Sequence, residues 1–430
     1  MSESTVLLNN AGAAVEPVIK QRLIVIGGGA AGFFCAVNAA QMNPLLDVLI
    51  VEKTSKLLSK VKISGGGRCN VTHACYSMAD MVKKYPRGGS FLKKAFPHFF
   101  TTDTISWFKA RGIELKTEAD GRMFPVSNDS QTIVDCLMQE VNKYGVQIMM
   151  NREVKALNKI NDRWQLLFSN ETSMEADFIC VASGGYPKSA QFEWLQRLGH
   201  QIATPVPSLF TFNMQSNPIT ALMGVTVDNV AVKVMGAKLN EQGPLLITHW
   251  GMSGPAILKL SAWGARQFAT DNYKFTVLLN WVPTFNELTL KNKIQEIRFD
   301  IAAQKMTNRN PFGLPQRLWH YLLQQSAIPE EMRWADLPAK EQNKLVKNLC
   351  AQEFEVNGKT TFKEEFVTAG GVVLTEIDYN TMESKIAPNI FFCGEVTDTD
   401  GVTGGFNFQN AWTTGFIAAK AIAGRAAVNV

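Results

Sequence analysis

The cysteines of this sequence do not form the patterns of a disulfide-stapled or zinc-binding protein. Its 430 residues include seven cysteines, an odd number, and no two of them stand in a C-x-x-C pair. This argues against a disulfide framework and against a structural zinc site. A metal site at Cys69, His73 and Cys75 would have no fourth ligand nearby, so we expect no bound metal.

The sequence also has no secretory signal at its start and few long apolar runs. Residues 1–20 lack the basic, apolar and cleavage-site order of a signal peptide, and we interpret them as a flexible tail. The longest apolar run, residues 23–40, contains four glycines. It suits a buried strand, turn and helix better than a membrane span. We therefore expect a cytoplasmic protein that does not associate with a membrane.

The composition is that of a folded globular protein with an uneven charge. Hydrophobic residues make up 46% and charged residues 19% of the chain, and its length predicts two or three domains. The net charge is +5, yet residues 53–122 alone hold 14 Lys or Arg against 5 Asp or Glu. This basic segment favours an anionic partner such as a phosphate cofactor or nucleic acid, although a solvated surface would explain it as well.

A strand, a glycine-rich turn and a helix follow the N-terminal tail. Residues 22–26 predict a short buried strand, GGGAAG follows at 27–32, and a helix is expected to run to about Met42. A second strand is predicted at 47–53. A G-x-G-x-x-G pattern between a strand and a helix is typical of dinucleotide binding.

Each glycine of this pattern has a physical role. Gly27 would permit a tight turn, Gly29 would let the backbone approach a pyrophosphate, and Gly32 would let helix and strand pack closely. The helix N-terminus would then meet the phosphates with its unpaired N–H groups. Glu52, 20 residues beyond Gly32, would accept hydrogen bonds from the hydroxyls of the adenosine ribose.

Later segments change character and then return to the first style. A helix is predicted at 127–145, with Ile133, Leu137 and Val141 on one face and a stop at Gly145. The other expected elements are strands at 146–157, 164–168 and 177–185, a β-rich region from about 193, a polar helical region at 285–350, and a strand and a helix at 389–395 and 404–424. One Rossmann-like domain built from both chain ends would therefore carry an inserted β domain and a helical cap.

Four glycine-rich stretches and two internal motifs together resemble the BaiN-like, also called YhiN-like, family of FAD-dependent oxidoreductases, which includes proteins related to aminoacetone oxidase. The stretches are GGGAAG with Glu52, SGGGRCN at 64–70, ASGG at 182–185 and FFCGEVTDTDGVTGGFNFQNA at 391–411. The internal motifs are THWGMSGPAILKLS at 248–261 and TAGGV at 368–372. The resemblance covers the chain from about Leu23 to Gly424.

The resemblance implies an α/β fold with a Rossmann-like FAD-binding domain, an inserted β-barrel-like domain and a helical subdomain. The expected boundaries are 21–192 and 366–430 for the FAD-binding domain, 193–284 and 351–365 for the inserted domain, and 285–350 for the helical subdomain. The chain departs from the family in two places. Segment 186–199 is short and carries Pro187, and Phe406 stands where relatives often have Tyr.

The resemblance also implies which residues bind FAD. The expected cofactor-binding residues are Gly27, Gly29, Ala31, Gly32, Glu52, Lys53, Gly65, Gly66, Gly67, Arg68, Cys69, Asn70, Val154, Ser183, Gly184, Gly185, Gly394, Glu395, Gly404, Gly405, Phe406 and Asn407. The glycines at 65–67 would let the backbone lie against the cofactor. Residues 404–407 would open a helix whose N–H groups face N1 and O2 of the isoalloxazine, where negative charge gathers on reduction.

Three side chains are candidates for the chemistry. Arg68 would pair with a phosphate or a substrate anion. Cys69 is a packing residue beside the flavin, a proton donor to a substrate carbon, or a reactive thiolate. His249, in the glycine-rich turn of the inserted domain, binds substrate or transfers a proton, or else is a structural hydrogen-bonding residue.

The expected reaction is reduction of an activated C=C bond with electrons from NAD(P)H. The resemblance implies either a uridine in ribosomal RNA or a small enone-like metabolite such as a steroid intermediate. The basic segment 53–122 favours RNA, since Lys83, Lys84, Arg87, Lys93 and Lys94 would contact phosphates. Nearby Tyr85, Phe91, Phe96 and Phe99 would stack on a base unless they are core residues.

Three other functions compete with this prediction. One is an aminoketone oxidase that uses oxygen, which some family members resemble. A disulfide reductase would need a redox cysteine pair and usually a second G-x-G-x-x-G, and the sequence has neither. The third is a non-catalytic RNA-binding protein that keeps FAD as a structural element.

Overall fold

The computed structural model describes residues 20–360 and 367–427, and their contacts divide the chain into two units. The first unit contains the residues through Pro205 and those from Gly370 onward, and the second contains Val206–Ala369. Nearly all of the predicted tail at 1–20 and the end of the predicted segment 351–365 lie outside the described residues.

The helices and strands follow in chain order. The first stretch contains β1 (Arg22–Ile26), α1 (Ala30–Met42), β2 (Asp47–Val51), α2 (Ser59–Gly67), β3 (Thr72–His73), α3 (Met78–Val82), α4 (Gly89–Ala95), α5 (Thr101–Lys109), β4 (Leu115–Thr117), β5 (Arg122–Pro125), α6 (Gln131–Lys143), β6 (Gln147–Met149), β7 (Val154–Ile160), β8 (Arg163–Phe168), β9 (Ser173–Ala176), β10 (Phe178–Val181), α7 (Glu193–Gln196) and β11 (Ile202–Ser208). The remainder contains β12 (Thr211–Asn213), β13 (Thr226–Val234), β14 (Asn240–Ile247), β15 (Gly251–Ser253), α8 (Pro255–Trp263), α9 (Ala265–Thr270), β16 (Lys274–Asn280), α10 (Glu287–Asp300), α11 (Gln316–Gln325), α12 (Ala339–Cys350), β17 (Gln352–Asn357), β18 (Lys359–Thr360), β19 (Val367–Val372), β20 (Ile390–Phe392) and α13 (Phe406–Ala427).

A five-stranded parallel sheet forms the centre of the first unit. Its strand order is β20-β10-β1-β2-β6, and β1 lies between its partners with Ile24 opposite both Ile179 and Leu49. The buried runs in β1 and β10 are continuously apolar, as expected for strands covered on both faces. The predicted Rossmann-like α/β fold, built from both chain ends, is confirmed.

The predicted strand at 146–157 is wrong, because the structure divides it. Strand β6 joins the parallel sheet beside β2, whereas β7 pairs with β8 in a separate antiparallel sheet. Asn151, between them, has a φ of +57°. Asn tolerates this left-handed conformation, which turns the chain out of the first sheet.

Helix α6 matches the predicted amphipathic pattern. It buries Ile133, Leu137 and Val141, which are spaced four residues apart and therefore share one helical face. Gly145, just beyond the helix, has a φ of +66°. A glycine in this conformation is a common helix stop.

The second unit combines a sheet and helices around one core. Its seven-stranded antiparallel sheet has the order β17-β16-β13-β14-β15-β12-β18. The buried core joins sheet residues such as Val232 and Phe354 to helix residues such as Leu322 and Leu345. The polar helical region at 285–350 thus completes the core of the β region, while α7, which follows residue 192, belongs to the first unit.

Within the described ranges, no helix is both long and apolar enough to cross a membrane.

Candidate cofactor site

The first βα turn has the geometry that its glycines predict. Gly27 has a φ of +118°, and a Cβ there would lie 2.3 Å from the carbonyl oxygen of Ala182. A Cβ on Gly32 would lie 2.0 Å from the carbonyl oxygen of Gly27. At Gly29 a Cβ would meet nothing within 4 Å, and this residue caps α1. The turn and the close packing therefore need Gly27 and Gly32, while the backbone at Gly29 is open to a ligand.

The Glu52 side chain lies next to this turn. Its Oε2 accepts a hydrogen bond of 2.9 Å from the Gly28 N–H, and its Oε1 accepts from the N–H and hydroxyl of Thr54. Because a carboxylate offers about four acceptor positions, the group is fixed in place yet can still accept from ribose hydroxyls.

A cavity of about 380 Å³ lies beside the turn within the first unit. Five of the predicted cofactor-binding residues line it, namely Gly27, Glu52, Lys53, Val154 and Ser183. Tyr186 and Trp194 line it too, and the Lys53 ammonium lies 5.3 Å from the centre of the Tyr186 ring. Sequence reasoning did not assign a ligand contact to segment 186–199, although an aromatic residue directly after a strand-end glycine pair was a usable signal.

The SGGGRCN stretch forms a left-handed loop at the end of α2. Ser64 leaves the helical conformation, and Gly65, Gly66 and Gly67 have φ values of +59°, +68° and +83°. Such a run is accessible to glycine at little cost and strained for other residues. A Cβ on Gly65 would also lie 2.7 Å from the Phe124 ring, whereas at Gly66 and Gly67 it would meet nothing within 4 Å.

Arg68 holds this loop in place. Its guanidinium forms a 2.6 Å ion pair with Glu118 and lies 4.1 Å from the centre of the Phe124 ring. Its Nε donates a 3.3 Å hydrogen bond to the carbonyl oxygen of Gly65. These contacts give Arg68 a structural role that the sequence did not indicate, and its pairing with a phosphate or substrate anion stays a prediction.

Cys69 is completely buried and has a φ of +58°. Burial raises the pKa of its thiol to about 12, although a hydrogen bond with Ser64 opposes this effect. The group is therefore a protonated thiol at neutral pH. This disfavours the reactive-thiolate interpretation and is compatible with both packing and proton donation.

The chain after Cys69 lies directly against the start of α13. In the amide orientation that satisfies both groups, the Asn70 side-chain oxygen accepts a 3.0 Å hydrogen bond from the Gly405 N–H. Trp412 donates to the carbonyl oxygen of Val71, and Thr72 donates to the side chain of Gln409. Two predicted cofactor segments, 64–70 and 404–407, are therefore brought together.

This contact corrects one detail of the prediction. The Gly405 N–H, expected to face the isoalloxazine, donates to Asn70 instead. The Asn407 side chain bonds the backbone of Gly401 in both directions, at 2.8 and 2.9 Å. Since the first helical hydrogen bond runs from Gln409 to Gly405, the N–H groups of residues 406–408 are those that the start of α13 offers to a ligand.

The strand ends of β10 and β20 complete the site. Gly394 has a φ of +74°, a Cβ on it would lie 2.8 Å from the Cβ of Ala31, and its N–H donates to Thr414 of α13. Glu395 forms a 2.7 Å ion pair with Lys60. Gly184 has a φ of +72° with nothing near its Cβ position. All of the predicted cofactor-binding residues thus belong to one unit.

A cluster of buried cysteines near the ends of β10 and β20 was not predicted from the sequence. Cys180 and Cys393 lie next to each other, with their sulfur atoms 3.3 Å apart, and both thiols also interact with Cys35 of α1. All three are fully buried. Across the described residues, no group of three or more His, Cys, Asp or Glu is arranged to hold a metal ion.

Part of the RNA interpretation of segment 53–122 is wrong. Tyr85, Phe96 and Phe99 are buried core residues, so they cannot stack on a base. Arg87 forms a two-pronged ion pair with the buried Asp400, so its charge is already matched inside the protein. The exposed cations near them are Lys83, Lys84, Lys93 and Lys94, of which Lys83 pairs with Asp80.

His249 lies in the second unit, in the turn between β14 and β15. It is exposed, and its ring centre lies 4.1 Å from that of Trp250. The Thr248 hydroxyl closes the turn by accepting from the N–H groups of Trp250 and Gly251. This arrangement presents the imidazole on a defined turn, and its catalytic role stays a prediction.

The residues of the first unit fit a dinucleotide such as FAD. An open helix N-terminus at Gly29 suits a pyrophosphate, and a fixed carboxylate at Glu52 suits a ribose. The adjoining cavity is within the usual range for small-molecule sites, about 300–1,000 Å³.

Comparison with known proteins agrees with this assignment. Residues 21–421 match the model of the family described as HI0933-like protein Rossmann domain. The chain is 28% identical over 410 residues to a ribosomal RNA dihydrouridine synthase of Haemophilus influenzae, covering 93% of this chain and 98% of that protein. It is 25% identical over 416 residues to a 3-dehydro-bile acid delta(4,6)-reductase of Clostridium scindens, covering 94% and 99%.

The fold also resembles that of a solved flavoenzyme. A flavocytochrome c3 fumarate reductase in an open conformation has a TM-score of 0.50 and 14% identity, covering 96% of this chain and 79% of that chain. At this identity the likeness concerns the fold alone.

Proposed function

The chain belongs to the HI0933-like Rossmann-domain family of FAD-dependent oxidoreductases, and we propose that it reduces an activated C=C bond in a uridine of ribosomal RNA, giving dihydrouridine. The observation that carries the RNA substrate is the similarity, over nearly the full length of both chains, to a protein named ribosomal RNA dihydrouridine synthase. We further propose NAD(P)H as electron donor and the cytoplasm as location.

Bound FAD, once reduced by NAD(P)H, would supply a hydride to one carbon of the double bond. The chain itself must then bind the substrate, favour the negative charge that develops, and deliver a proton to the other carbon. The N–H groups at the start of α13 would face N1 and O2 of the flavin and would favour its reduction by NAD(P)H. The Cys69 thiol, which its raised pKa keeps protonated, is completely buried and would deliver the proton only if the loop of residues 64–70 moved.

The electron donor and the substrate would both bind against the flavin ring. The sequence has one G-x-G-x-x-G followed by an acid, and that turn fits FAD. NAD(P)H would therefore approach the flavin directly and leave before the substrate binds. This order predicts that the flavin is reduced by NAD(P)H in the absence of RNA.

Surface lysines of the first unit would hold the RNA. Lys84, Lys93 and Lys94 are exposed, and Lys or Arg contacts to phosphates supply most sequence-independent affinity for nucleic acid. Since Tyr85, Phe96 and Phe99 are buried, base recognition must come from other groups.

The test is mass spectrometry of ribosomal RNA nucleosides from source cells with and without the gene. We expect dihydrouridine in the large-subunit RNA to disappear without the gene and to return with the wild-type gene. The double variant K93E/K94E should restore it poorly, whereas K233E/K238E, the same charge change on exposed lysines of the second unit, should restore it fully. Unchanged dihydrouridine in the deletion strain would refute the RNA proposal.

A small enone is the second candidate substrate, which the similarity to the bile acid reductase favours. Purified protein reduced with NADPH should be reoxidised without oxygen by its true substrate. Reoxidation by a conjugated enone but not by ribosomal RNA would select this second candidate.

A further inference from the structure

A single peptide unit at the start of α13 is held from both sides by one distant segment. The carbonyl oxygen of Gly404 lies 3.0 Å from Nδ1 of His73, and the N–H of Gly405 lies 3.0 Å from the side-chain oxygen of Asn70. These two groups belong to the same planar peptide and point in opposite directions. The orientation of this peptide is therefore fixed by residues 70–73.

The hydrogen bond also fixes the proton on His73. A carbonyl oxygen can only accept, so Nδ1 must carry the hydrogen and donate it.

His73 is itself held between two groups. Its ring packs on Phe406, with centres 4.6 Å apart and an interplanar angle of 29°. Gly121 also lies close to the ring, since a Cβ on it would lie 2.6 Å from Nε2. The imidazole is thus packed against both Phe406 and Gly121, and these contacts support its hydrogen bond with Gly404.

We call the hydrogen bonds of the Gly404–Gly405 peptide with His73 and Asn70 the clamp. It matters because glycines can adopt many backbone conformations. Gly404 and Gly405 have φ values of +133° and +91°, and a glycine pair has many other conformations of similar energy. Helix α13 has 22 residues, and the Gly404–Gly405 peptide leads directly into its first turn, which offers the N–H groups of residues 406–408. A rotation of this peptide would disturb that first turn and the donors it offers.

We propose that His73 is a positioning residue that raises the reduction potential of the bound flavin by fixing the Gly404–Gly405 peptide. The inference rests on the proposed function, since it requires the isoalloxazine to lie against the start of α13. Two-electron reduction adds a hydride equivalent and places negative charge near N1 and O2 of the ring. Donors held toward that charge stabilise the reduced form more than the oxidised form.

The test compares two substitutions of His73 by anaerobic dye-coupled titration of the flavin. H73F keeps an aromatic ring against Phe406 but cannot donate to Gly404. H73N keeps a donor near the position of Nδ1 but loses the ring. We expect H73F to lose about tenfold in preference for the reduced flavin, which is about 30 mV for a two-electron couple, and H73N to shift by less than half as much.

The matched control is H98F, which makes the same replacement at an exposed histidine of the same unit and should leave the potential unchanged. If H73F retains FAD and its potential equals that of the wild type, the inference is overturned. If H73F does not retain FAD, N70S decides, since it removes the other half of the clamp. A more negative potential in N70S supports the inference, and an unchanged one overturns it.

Failure of the proposed function gives a different result. If wild-type protein, purified and incubated with FAD, shows no bound flavin, the function is wrong whatever residue 73 does. If the wild type binds FAD and only the potentials are insensitive to His73, the function stands and this inference falls.

Discussion

The two glycine-rich helix starts of the first unit are built in different ways. At α1, the turn is stabilised by its own backbone and by the neighbouring strands, with Gly32 against the carbonyl of Gly27. At α13, the equivalent turn is held by side chains of residues 70–73, and the bond from His73 to Gly404 spans 331 positions of the sequence. The start of α1 is thus stabilised by the backbone around it, whereas the start of α13 depends on side chains that are far away in the sequence.

The largest effect should come from breaking the local turn. In G32A the new Cβ would lie 2.0 Å from a backbone carbonyl, and neither strand nor helix can move away without losing packing. We expect a loss of at least about 3 kcal/mol in the free energy of unfolding. Thermal and denaturant unfolding of the protein without FAD would measure it.

G29A is the matched control for this variant. Its Cβ would meet nothing within 4 Å, and its φ of −97° suits any residue. Stability should stay within about 1 kcal/mol of wild type, while FAD affinity falls because the Cβ occupies the approach to the helix N-terminus. Equal destabilisation by G29A and G32A would contradict the assigned roles.

The next effect concerns the buried ion pair near the start of α13. Arg87 and Asp400 have side-chain exposures of 10% and 0%. Removing one partner of a buried ion pair typically costs about 3–5 kcal/mol. We therefore expect D400N to lower the free energy of unfolding by about 3 kcal/mol, and the double variant R87M/D400L to be less destabilised than D400N.

The exposed pair of Lys83 and Asp80 provides the comparison, since both side chains are in solvent. D80N should cause no measurable change in unfolding. If D400N behaves like D80N, the pair of Arg87 and Asp400 adds little to stability, and the interpretation of it as a stabilising buried ion pair is wrong.

The features that could be predicted from the sequence are those whose residues lie close together along the chain. The G-x-G-x-x-G turn, α1, β2 and Glu52 were predictable because the whole pattern lies within about 30 consecutive residues, even though Gly27 packs against the distant Ala182. The glycines at 404–405 were visible, but their clamp was not, because no local pattern links His73 to them. Likewise, Arg87 looked like a surface cation because its partner Asp400 is far away in sequence.

A smaller effect is expected at Glu52, which belongs to the local turn. E52Q replaces one acceptor oxygen with a donor that must face the N–H of Gly28 or of Thr54, so the side chain loses its fixed position. We expect FAD to bind about tenfold more weakly, as for the loss of one hydrogen bond to a charged group. Binding of FMN, which has no adenosine, should not change.

E153Q is the control, because Glu153 lines the same cavity but is exposed and pairs with Lys155. It should change FAD affinity less than twofold. Fluorescence titration of the protein with each flavin measures both variants. Equal weakening of FMN and FAD by E52Q would place the ribose contact elsewhere.

The smallest effect concerns Cys69, which lies between the two helix starts along the chain. Burial raises the pKa of this thiol to about 12, so the thiolate is a minor form throughout the range from about pH 6 to 10. Titration of Cys69 should therefore produce no step in the pH dependence of turnover over this range. In the native protein iodoacetamide should modify Cys75, which is only partly buried, long before Cys69, and peptide mass spectrometry would show the order. Rapid alkylation of Cys69 at pH 8 would mean that the loop of residues 64–70 opens in solution, and the long-range clamp on α13 would then be intermittent rather than fixed.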